Sequence, residues 1–486
     1  MRAPLPCFID GQPVTTHRTF DDINPATGQV IRQVCEAGRD EVDHAVAAAR
    51  KASKGSWRKR SARDRAAVLD RVADGIDARK DEFLRAEIED TGKPMALASV
   101  VDIPRGAANF RAFAAQLRTL SDESFTTVTD DGQEALNLVV REPLGVVGVI
   151  CPWNLPLLLM TWKVAPALAA GNAVVVKPSE ETPQTATLLG EVMRDAGVED
   201  GVYNVVHGFG PGSAGEHLVT HKDVDAITFT GESRTGSAIM AAAAPSLKRL
   251  SFELGGKNAA LVFDDCDLDA AVAGCTRSTF MNTGQVCLCT ERIFVARSIY
   301  PAFVDRLATL ACARVLGDPF AATTTMGPLI SRTHADKVLG YYRLAKDSGL
   351  DVVCGGTVAE APDGHGGGFW VEPTIWTNVP TGHALLREEV FGPCAVVVPF
   401  DDEDEAIARA NDTEYGLCAS IWTNDLTRAH RVARAVDAGL VWVNTWYLRD
   451  LRTPFGGMKK SGIGREGGRW SFDFYGEPKN ICLRLR

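Results

Sequence analysis

Two side chains of this sequence have the types and surroundings that covalent chemistry at a carbonyl group requires. Glu253 opens the stretch ELGGKN, and Cys287 closes the stretch GQVC further along the chain. A cysteine that follows small and polar residues can meet exposed backbone N–H groups that stabilise a thiolate. Glycines beside a glutamate let its carboxylate approach a reacting centre closely. We therefore predict that Cys287 is a nucleophile and Glu253 a general base.

The overall composition narrows the class of protein. At 486 residues the chain is too long for one hydrophobic core, so we expect two or three domains. Its 45% hydrophobic and 23% charged residues are typical of a globular protein. The net charge of −10 argues against a nucleic-acid partner, because phosphate binding needs a basic face.

We expect neither a membrane span nor a metal site. The longest apolar stretch, residues 151–176, is interrupted by Pro156, Lys163, Pro166 and Asn172. The N-terminus lacks a signal-peptide pattern, and the cysteines and histidines do not have metal-ligand spacing. Twelve cysteines without a secretory signal indicate reduced, mostly buried thiols and therefore a cytoplasmic protein.

Alternating strands and helices must position the two reactive residues. The predicted strands cover residues 135–143, 146–150, 173–178, 202–206 and 226–230. Helices between the last four predict a doubly wound α/β sheet with right-handed crossovers. A helical segment at 40–115 precedes this series, and a second α/β series begins near residue 258. Residues 472–486 are predicted to form a strand.

The ends of two predicted strands carry signals for a dinucleotide. Lys177, Ser179 and Glu180 follow one strand at the edge where open α/β sheets bind ligands. Lys and Glu can bond ribose hydroxyls there, and the carboxylate would repel a 2′-phosphate, which favours NAD over NADP. Residues 229–236 join another strand to a helix start that can present N–H groups to a pyrophosphate. Ordinary strand–helix turns are the alternative for both stretches.

Six sequence blocks, in this order, resemble the NAD(P)-dependent aldehyde dehydrogenase superfamily. They are VICPWN (149–154), KPSE (177–180), FTG (229–231), ELGGK (253–257), GQVC (284–287) and EEVFGP (388–393). The resemblance extends from about residue 8 to the end of the chain. It implies an α/β fold with a Rossmann-like cofactor domain, an α/β catalytic domain and a small β oligomerisation flap. The partners it implies are a small-molecule aldehyde and further copies of the chain, as a dimer or tetramer.

The resemblance also implies domain boundaries and cofactor positions. The NAD-binding domain would be 1–123 and 144–254, the catalytic domain 255–445, and the flap 124–143 and 470–486. The implied cofactor-binding residues are Ile150, Pro152, Trp153, Lys177, Ser179, Glu180, Gly231, Ser233, Leu254, Glu389 and Phe391. Ser233 is included because many relatives have a serine where this chain has Glu232, and an ionised glutamate cannot donate to a pyrophosphate.

The same resemblance assigns the chemistry. Cys287 would attack the aldehyde, Glu253 would activate water, and Asn154 would donate its amide to the oxyanion beside the backbone N–H of Cys287. Glu466 resembles a glutamate sometimes assigned to proton relay, and Cys289 is expected to flank the site without acting.

A finer resemblance concerns the substrate. Residues 152–163 and 441–452 look like the hydroxymuconic and aminomuconic semialdehyde dehydrogenases, whose substrates carry a carboxylate away from the aldehyde. Arg105 and Arg449 match the positions that this resemblance marks for substrate, and arginine can bind a carboxylate with two hydrogen bonds. The alternative is that each arginine lies on the surface or forms an ion pair, with Asp102 and Asp450 as neighbours.

Several substrates remain open. The resemblance favours NAD-dependent oxidation of 2-hydroxymuconic semialdehyde in aromatic meta-cleavage catabolism. The alternatives are 2-aminomuconic semialdehyde, on the tryptophan or 2-aminophenol routes, or a general substrate such as betaine aldehyde. A CoA-acylating enzyme is disfavoured because Glu253 suits activation of water. A catalytically silent relative is disfavoured because Cys287, Glu253 and Asn154 are all present.

Overall fold

The computed structural model describes residues 2–485 and begins with small strands and a group of helices. The first strands are β1 (Cys7–Ile9), β2 (Gln12–Val14), β3 (Thr19–Asn24) and β4 (Gln29–Cys35). The helices that follow are α1 (Arg39–Lys54), α2 (Ser56–Lys59), α3 (Ala62–Ala78), α4 (Lys80–Thr91), α5 (Met95–Ala98) and α6 (Asp102–Thr119). Ser61 begins α3 as a cap, because its hydroxyl accepts a hydrogen bond from the Asp64 N–H at 3.1 Å.

The middle of the chain alternates between strands and helices as predicted. Its elements are β5 (Glu123–Val128), β6 (Glu134–Pro143), β7 (Val146–Ile150), α7 (Pro156–Ala169), β8 (Ala173–Lys177), α8 (Gln184–Asp195), β9 (Tyr203–Val205), α9 (Ala214–Thr220), β10 (Ala226–Thr230), α10 (Ser233–Ala243), a short 3₁₀ helix (Ala244–Ser246) and β11 (Arg249–Glu253). Strands β7, β8 and β10 are buried along their whole length because helices cover both faces of their sheet.

The last part of the chain builds the second sheet and returns to the first. Its elements are β12 (Asn258–Val262), α11 (Leu268–Phe280), a 3₁₀ helix (Met281–Gly284), β13 (Thr290–Ala296), α12 (Tyr300–Cys312), α13 (Arg332–Asp347), β14 (Asp351–Cys354), β15 (Thr374–Thr377), α14 (Ala384–Arg387), β16 (Cys394–Phe400), α15 (Glu403–Asn411), β17 (Tyr415–Gly416), β18 (Cys418–Trp422), α16 (Leu426–Ala435), β19 (Leu440–Val443), β20 (Met458–Lys459), β21 (Gly462–Ile463), α17 (Gly468–Tyr475) and β22 (Gly476–Arg484).

Two large sheets organise these elements. The first has eight strands in the order β2-β1-β9-β8-β7-β10-β11-β21, and its five strands from β9 to β11 are parallel. The second has seven strands in the order β14-β15-β16-β13-β12-β18-β19. The chain crosses from the first sheet to the second between β11 and β12, so residues 254–257 connect them. Glu253 therefore lies at the junction of the two sheets.

A third, antiparallel sheet joins segments from distant parts of the sequence. Its order is β22-β6-β5, and β22 pairs with β6 from Gly476 opposite Pro143 to Arg484 opposite Ala135. This pairing brings together the two segments assigned to the flap. The observed α/β architecture matches the predicted class of fold, whereas the domain boundaries stay a prediction.

The predicted strand at 472–486 is wrong at its start. Phe472 and Tyr475 lie in α17 and are buried, and the Phe472 ring packs edge-on against Phe113 of α6 with 6.1 Å between ring centres. Aromatic residues have a high propensity for strands. Phe472 and Tyr475 are three positions apart, however, and this spacing places both on the buried face of a helix. The strand begins at Gly476.

The cysteines are less uniform than predicted. Cys312 and Cys354 form a disulfide with Cα atoms 6.1 Å apart, so these two are not reduced thiols. Cys482 is exposed and Cys266 is partly exposed, against the prediction of burial. Among residues 2–485, no helix is both long and apolar enough to cross a membrane.

Candidate active site

The end of β11 places Glu253 in a buried position. Glu253 lies opposite Thr230 at the matching end of β10 and is 4% exposed. Neither of its carboxylate oxygens has a hydrogen-bond partner among the described residues. Burial, and then the negative charge of Glu466, raises the pKa of the Glu253 carboxyl well above its usual range. A buried carboxyl with free oxygens can accept and release a proton at a reacting centre.

The turn after α11 carries Cys287. Asn282 and Thr283 adopt left-handed backbone conformations, with φ of 51° and 57°, and Gly284 follows with φ of 72°. A Cβ atom at Gly284 would lie 1.9 Å from the carbonyl oxygen of Gly392, so only glycine fits there. Strained backbone of this kind is typical of functional turns, and it directs the chain so that Cys287 faces the site.

Asn258 holds the nucleophile turn from the second sheet. Its Nδ2 donates to the carbonyl oxygens of Cys287 at 2.7 Å and Cys289 at 2.8 Å. Its Oδ1 accepts a hydrogen bond from the Cys418 N–H at 3.1 Å. The sequence reasoning quoted Asn258 but gave it no role, and its place directly after the two glycines and Lys257 was the available signal.

Cys287 and Glu253 lie close enough for their charges to interact. Burial raises the pKa of the Cys287 thiol to about 12, and the negative charges of Glu253 and Glu389 act in the same direction. The positive charge of Arg449 opposes them. Because neighbouring negative charges repel each other, an ionised Glu253 disfavours the thiolate form of Cys287. The structure thus brings the two predicted reactive residues into one site.

Asn154 lies beside the nucleophile turn, between β7 and α7. Its Nδ2 donates to the carbonyl oxygen of Gln285 at 2.9 Å, while Asn282 Nδ2 donates to the Asn154 carbonyl oxygen at 3.0 Å. The amide of Asn154 is therefore fastened to the turn that carries Cys287. Its second N–H can point toward an oxygen that develops charge next to the sulfur.

Two further residues, Glu466 and Cys289, lie near the reactive pair, and each is held by a contact of its own. Lys163 Nζ lies 2.5 Å from Glu466 Oε1, and both side chains are buried. Cys289 donates its S–H to the Met281 carbonyl oxygen at 3.6 Å, and burial raises its thiol pKa strongly. The Lys163 ammonium holds Glu466 in place, whereas Cys289 is a structural thiol.

Lys177, Ser179 and Glu180 lie together after β8. Lys177 pairs in register with Ile150 of β7, and its Nζ lies 3.0 Å from Glu180 Oε2. Ser179 is buried, and its hydroxyl accepts a hydrogen bond from the Glu181 N–H at 3.3 Å. Ile150 is itself buried, while Pro152 is partly exposed. These residues fit a ribose, because a lysine and a carboxylate face the same strand edge.

The start of α10 lies at the end of β10, with Gly231 between them. Ser233 donates its hydroxyl proton to the Lys460 carbonyl oxygen at 3.0 Å, and its assignment to the cofactor stays a prediction. The hydroxyl of Thr230 is buried and has no hydrogen-bond partner in the described chain. A helix start next to an unpaired hydroxyl suits a pyrophosphate. Thr230 is a candidate contact that sequence reasoning missed.

Glu389 and Phe391 face residues 254–257, the glycine-containing segment that connects the two large sheets. This segment is called the glycine crossing. Glu389 Oε1 accepts a hydrogen bond from the Gly256 N–H at 2.7 Å, and burial raises the Glu389 pKa to about 7. A Cβ atom at Gly255 would lie 2.4 Å from Glu389 Oε2, so glycine is required for this approach. Leu254, at the start of the crossing, is buried.

The loop that carries Phe391 is held by the Trp153 ring and by the buried carboxylate of Glu291. The Trp153 ring meets the Phe391 ring edge-on with 5.4 Å between ring centres. Glu291, paired with Lys257, accepts hydrogen bonds from the N–H groups of Val390 at 3.0 Å and Phe391 at 2.8 Å. Sequence reasoning missed Glu291, since nothing in its local sequence shows which distant loop it reaches. Taken together, the unpaired Thr230 hydroxyl, the strand-end carboxylate and the glycine crossing fit a dinucleotide.

The guanidinium of Arg449 lies between two aromatic rings. Its carbon atom Cζ is 4.3 Å from the centre of the Trp162 ring and 3.8 Å from that of Phe455. Its Nε and Nη2 are buried without a hydrogen-bond partner within residues 2–485. Burial and the neighbouring charge of Arg105 lower the Arg449 pKa to about 10.

Arg105 lies beside the same tryptophan and is held differently. Its Cζ is 5.7 Å from the centre of the Trp162 ring, and its Nε donates to Asn109 Oδ1 at 3.0 Å. Its Nη2 is buried and unpaired in the part of the chain that the structure describes. Sequence reasoning found both arginines but missed Trp162 and Asn109, which hold them.

The predicted alternative, an ion pair with a neighbouring aspartate, is wrong for both arginines. Asp102 is bonded by Lys93 Nζ at 2.7 Å, and Asp450 is bonded by Arg452 Nη2 at 2.6 Å. The two aspartates therefore have other cations as partners.

Tyr447 is a further residue of the pocket that sequence reasoning missed. Its backbone is left-handed, with φ of 66°, which is costly for an aromatic residue. Burial raises its pKa to about 12, and charges of Asp102, Arg105 and Arg449 also act on its phenol. Tyr447 thus lies near both Cys287 and the two arginines.

The chain was compared with family models, and one match covers almost all of it. Residues 13–481 match the model described as the aldehyde dehydrogenase family. The chain belongs to the aldehyde dehydrogenase family. The fold and the enzyme class that the six sequence blocks predicted are thereby confirmed.

Relatives of this aldehyde dehydrogenase cover its full length. The chain is 61% identical to a 2-hydroxymuconic semialdehyde dehydrogenase from Pseudomonas sp. strain CF600, over 98% of this chain and 99% of the relative. It is 54% identical to a 2-aminomuconic 6-semialdehyde dehydrogenase from Pseudomonas sp., over 98% and 97%. Among solved structures, the NAD⁺ complex of an aldehyde dehydrogenase from Bacillus cereus matches with a TM-score of 0.95 and 38% identity, covering 99% of this chain and 97% of that one.

Proposed function

We propose that this aldehyde dehydrogenase oxidises 2-hydroxymuconic semialdehyde to the corresponding acid, with NAD as the hydride acceptor. The observation that carries the substrate is the pair of guanidinium groups, Arg105 and Arg449, because Arg105 Nη2 and Arg449 Nε and Nη2 are buried without a partner among the described residues. A buried cation without a counter-charge is costly to fold, so a site that keeps two of them is built for an anion. A semialdehyde with a carboxylate at its far end supplies that anion.

The position of the arginines sets the orientation of the substrate. The charge of Arg449 acts on the Cys287 thiol, so the two groups belong to one pocket. A carboxylate bound by the guanidinium groups leaves the other end of the molecule free to reach the sulfur. Arginine is suited to this because its planar fork binds both carboxylate oxygens.

The first half of the reaction needs a thiolate. Because burial raises the pKa of the Cys287 thiol to about 12, the thiol must lose its proton before it can attack, and the positive charge of Arg449 favours that loss. The thiolate attacks the aldehyde carbon and gives a tetrahedral thiohemiacetal with charge on oxygen. The Asn154 amide and the Cys287 backbone N–H stabilise this charge, each by about 3–4 kcal/mol in comparable sites.

The second half of the reaction releases the acid. When bound, the nicotinamide supplies the acceptor for the hydride that leaves the thiohemiacetal carbon. Cys287 then holds the acyl group as a thioester. Glu253 removes a proton from water, which attacks the thioester and frees the acid. Glu466 and Lys163, which lie behind Glu253, offer a buried route for the proton to leave.

Residues on the first sheet and the glycine crossing would hold the dinucleotide. Lys177 and Glu180 would hold the adenosine ribose, α10 and Thr230 the pyrophosphate, and Glu389 the nicotinamide ribose. Phe391 would pack beside the nicotinamide end, and the Trp153 ring, which meets Phe391 edge-on, would lie there too and not at the adenosine half to which the resemblance assigns it. The Glu180 carboxylate would repel a 2′-phosphate, which supports NAD over NADP.

A second candidate substrate is 2-aminomuconic semialdehyde, because a relative of that name is 54% identical. It differs from the first by one substituent and carries the same carboxylate. Betaine aldehyde is not favoured, since its quaternary ammonium would meet the two buried guanidinium groups. Free acid rather than an acyl-CoA is the proposed product, because Glu253 has both oxygens available for water in the described site.

A substrate panel tests the proposal. We expect the highest kcat/KM with 2-hydroxymuconic semialdehyde and NAD, a lower value with the amino compound, and a value at least about 10-fold lower with an uncharged aldehyde of similar length. Replacing NAD by NADP should raise the cofactor KM. Initial rates of NADH formation measure all four values. Equal kcat/KM for the charged and uncharged aldehydes would contradict the substrate assignment.

We further propose that the protein works as a homo-oligomer in the cytoplasm. The sheet β22-β6-β5 carries exposed apolar side chains on two of its strands, including Phe125, Val128 and Ile481. Exposed apolar side chains on the edge strands of a sheet favour association with another chain, which would cover them. This sheet would then be the oligomerisation flap, made of residues 124–143 and 470–486 as the sequence resemblance implies. Ten free cysteines support a reducing compartment.

A further inference from the structure

We propose that Asn109 is a positioning residue that turns Arg105 toward the carboxylate of the substrate and so sets the selectivity for an anionic aldehyde. The inference rests on the proposed function, because it concerns the arginine pair of the same pocket. Asn109 lies one helical turn after Arg105 on α6 and is 0% exposed.

The amide of Asn109 is locked from the side of α7. Its Nδ2 donates to the Leu158 carbonyl oxygen at 3.0 Å and to Thr161 Oγ1 at 3.0 Å. Thr161 uses its own hydroxyl proton on the Leu157 carbonyl oxygen at 2.8 Å, so toward Asn109 it can only accept. A flipped amide would place its oxygen against two acceptors. The orientation of Asn109 is therefore fixed, and Oδ1 must face Arg105.

This fixed oxygen determines which edge of Arg105 is free. Asn109 Oδ1 accepts from Arg105 Nε at 3.0 Å and so holds the guanidinium at Nε. The outer Nη2 is buried and has no hydrogen-bond partner among residues 2–485. Trp162 lies beside both Arg105 and Arg449, which places the free nitrogens of the two side chains around one ring. The pair can then bind one carboxylate from two sides.

The choice of an amide rather than a carboxylate at this position matters. An aspartate could accept from Arg105 equally well, but its negative charge would neutralise the guanidinium before the substrate arrives. An asparagine holds the side chain and leaves its positive charge available. Asn109 thus orients Arg105 without competing with the ligand.

A purely structural role is the competing explanation, since Asn109 also fastens α6 to α7. Under that explanation, a substitution lowers stability and disturbs all aldehydes alike. Under the proposal, it raises KM for the anionic aldehyde and leaves the uncharged aldehyde nearly unchanged. The ratio of the two KM values separates these explanations.

The test uses Asn109→Ala and Asn109→Asp in the full chain, with 2-hydroxymuconic semialdehyde and an uncharged aldehyde of similar length as substrates. Because a hydrogen bond to a charged group is at stake, we expect KM for the anion to rise roughly 10-fold in both variants. The kcat for either substrate and KM for the uncharged aldehyde should change by less than about twofold. An equal rise in both KM values would overturn the proposal.

Asn172→Ala is the matched control. Asn172 is also 0% exposed, its Nδ2 donates to the Ala167 and Tyr475 carbonyl oxygens at 3.1 and 2.9 Å, and its Oδ1 accepts from Gly145 N–H at 2.9 Å. It lies before β8, at the opposite end of the strand from Lys177. Its loss should lower the melting temperature without changing the ratio of the two KM values.

Two further variants keep the outcome decisive. If Asn109→Ala fails to fold, Thr161→Val removes one of the two acceptors that lock the amide and should shift the KM ratio in the same direction by a smaller factor. Arg105→Ala tests the proposed function itself. If Arg105→Ala changes the ratio and the Asn109 and Thr161 variants do not, this inference alone fails. If Arg105→Ala has no selective effect either, the anionic pocket is wrong.

Discussion

The two ends of the pocket carry ionisable groups of opposite kind. Around Cys287 they are the carboxyl groups of Glu253 and Glu389, whose negative charge would raise the thiol pKa further. Around Trp162 they are the positive guanidinium groups of Arg105 and Arg449. The first end needs only an aldehyde, whereas the second needs an anion. The comparison teaches that the reacting end determines the chemistry and the arginine end determines which molecule undergoes it.

Removing the nucleophile should have the largest effect and should not discriminate between substrates. We expect Cys287→Ala to lower kcat by roughly 10⁶-fold for charged and uncharged aldehydes alike, since loss of a covalent nucleophile has this size elsewhere. Assays of NADH formation measure the loss. Cys289→Ala is the matched control and should keep its activity, because that thiol donates to the Met281 carbonyl oxygen instead. Turnover retained by Cys287→Ala would exclude a covalent mechanism.

Removing the base should have the next largest effect and a distinct pH dependence. Glu253→Gln should lower kcat by about 10²–10⁴-fold through slower release of the acyl group. The raised pKa of Glu253 means that its basic form accumulates only as pH rises, so wild-type kcat should increase from neutral toward alkaline pH. The glutamine variant should lose this increase. Rapid mixing followed by steady-state rates should show a burst of NADH in the variant, and the absence of a burst would contradict the assigned step.

Changing the arginine end should have a smaller, selective effect. Arg449→Ala should lower kcat/KM for the anionic semialdehyde about 10–100-fold, the size of a lost hydrogen bond to a charged group. Uncharged aldehydes should be affected far less. Arg449→Lys should fall between, because lysine keeps the charge but lacks the planar fork. Steady-state kinetics with both substrate classes measure the difference. An equal loss for both would mean that the arginine end does not select the substrate.

The sequence alone predicted the features of the fold and site that depend on local patterns of residues. The strand–helix order from β7 to β10 follows from apolar runs and turns, and each of these strands lies where it was predicted within a few residues. Glu253 and Cys287 could be found because glycines and small residues surround them. Arg105 and Arg449 came from a resemblance to relatives.

Contacts between distant segments could not be predicted in this way. Glu291 holds a loop about a hundred positions further on, and Asn109 meets α7 through Thr161. Local sequence does not show which partner a buried polar side chain will find, because that depends on packing. The strand predicted at 472 failed for the same reason, since Phe472 packs against Phe113 of α6 as part of a helix.

The clamp made by Asn258 has a consequence for motion. Residues 253–258 carry the base at one end and, through Asn258, grip the backbone of Cys287 at the other. Because Glu253 ends a strand of the first sheet and Asn258 begins a strand of the second, this short span sets the separation of carboxylate and sulfur. A movement of one sheet relative to the other would therefore change the distance between the two reactive groups.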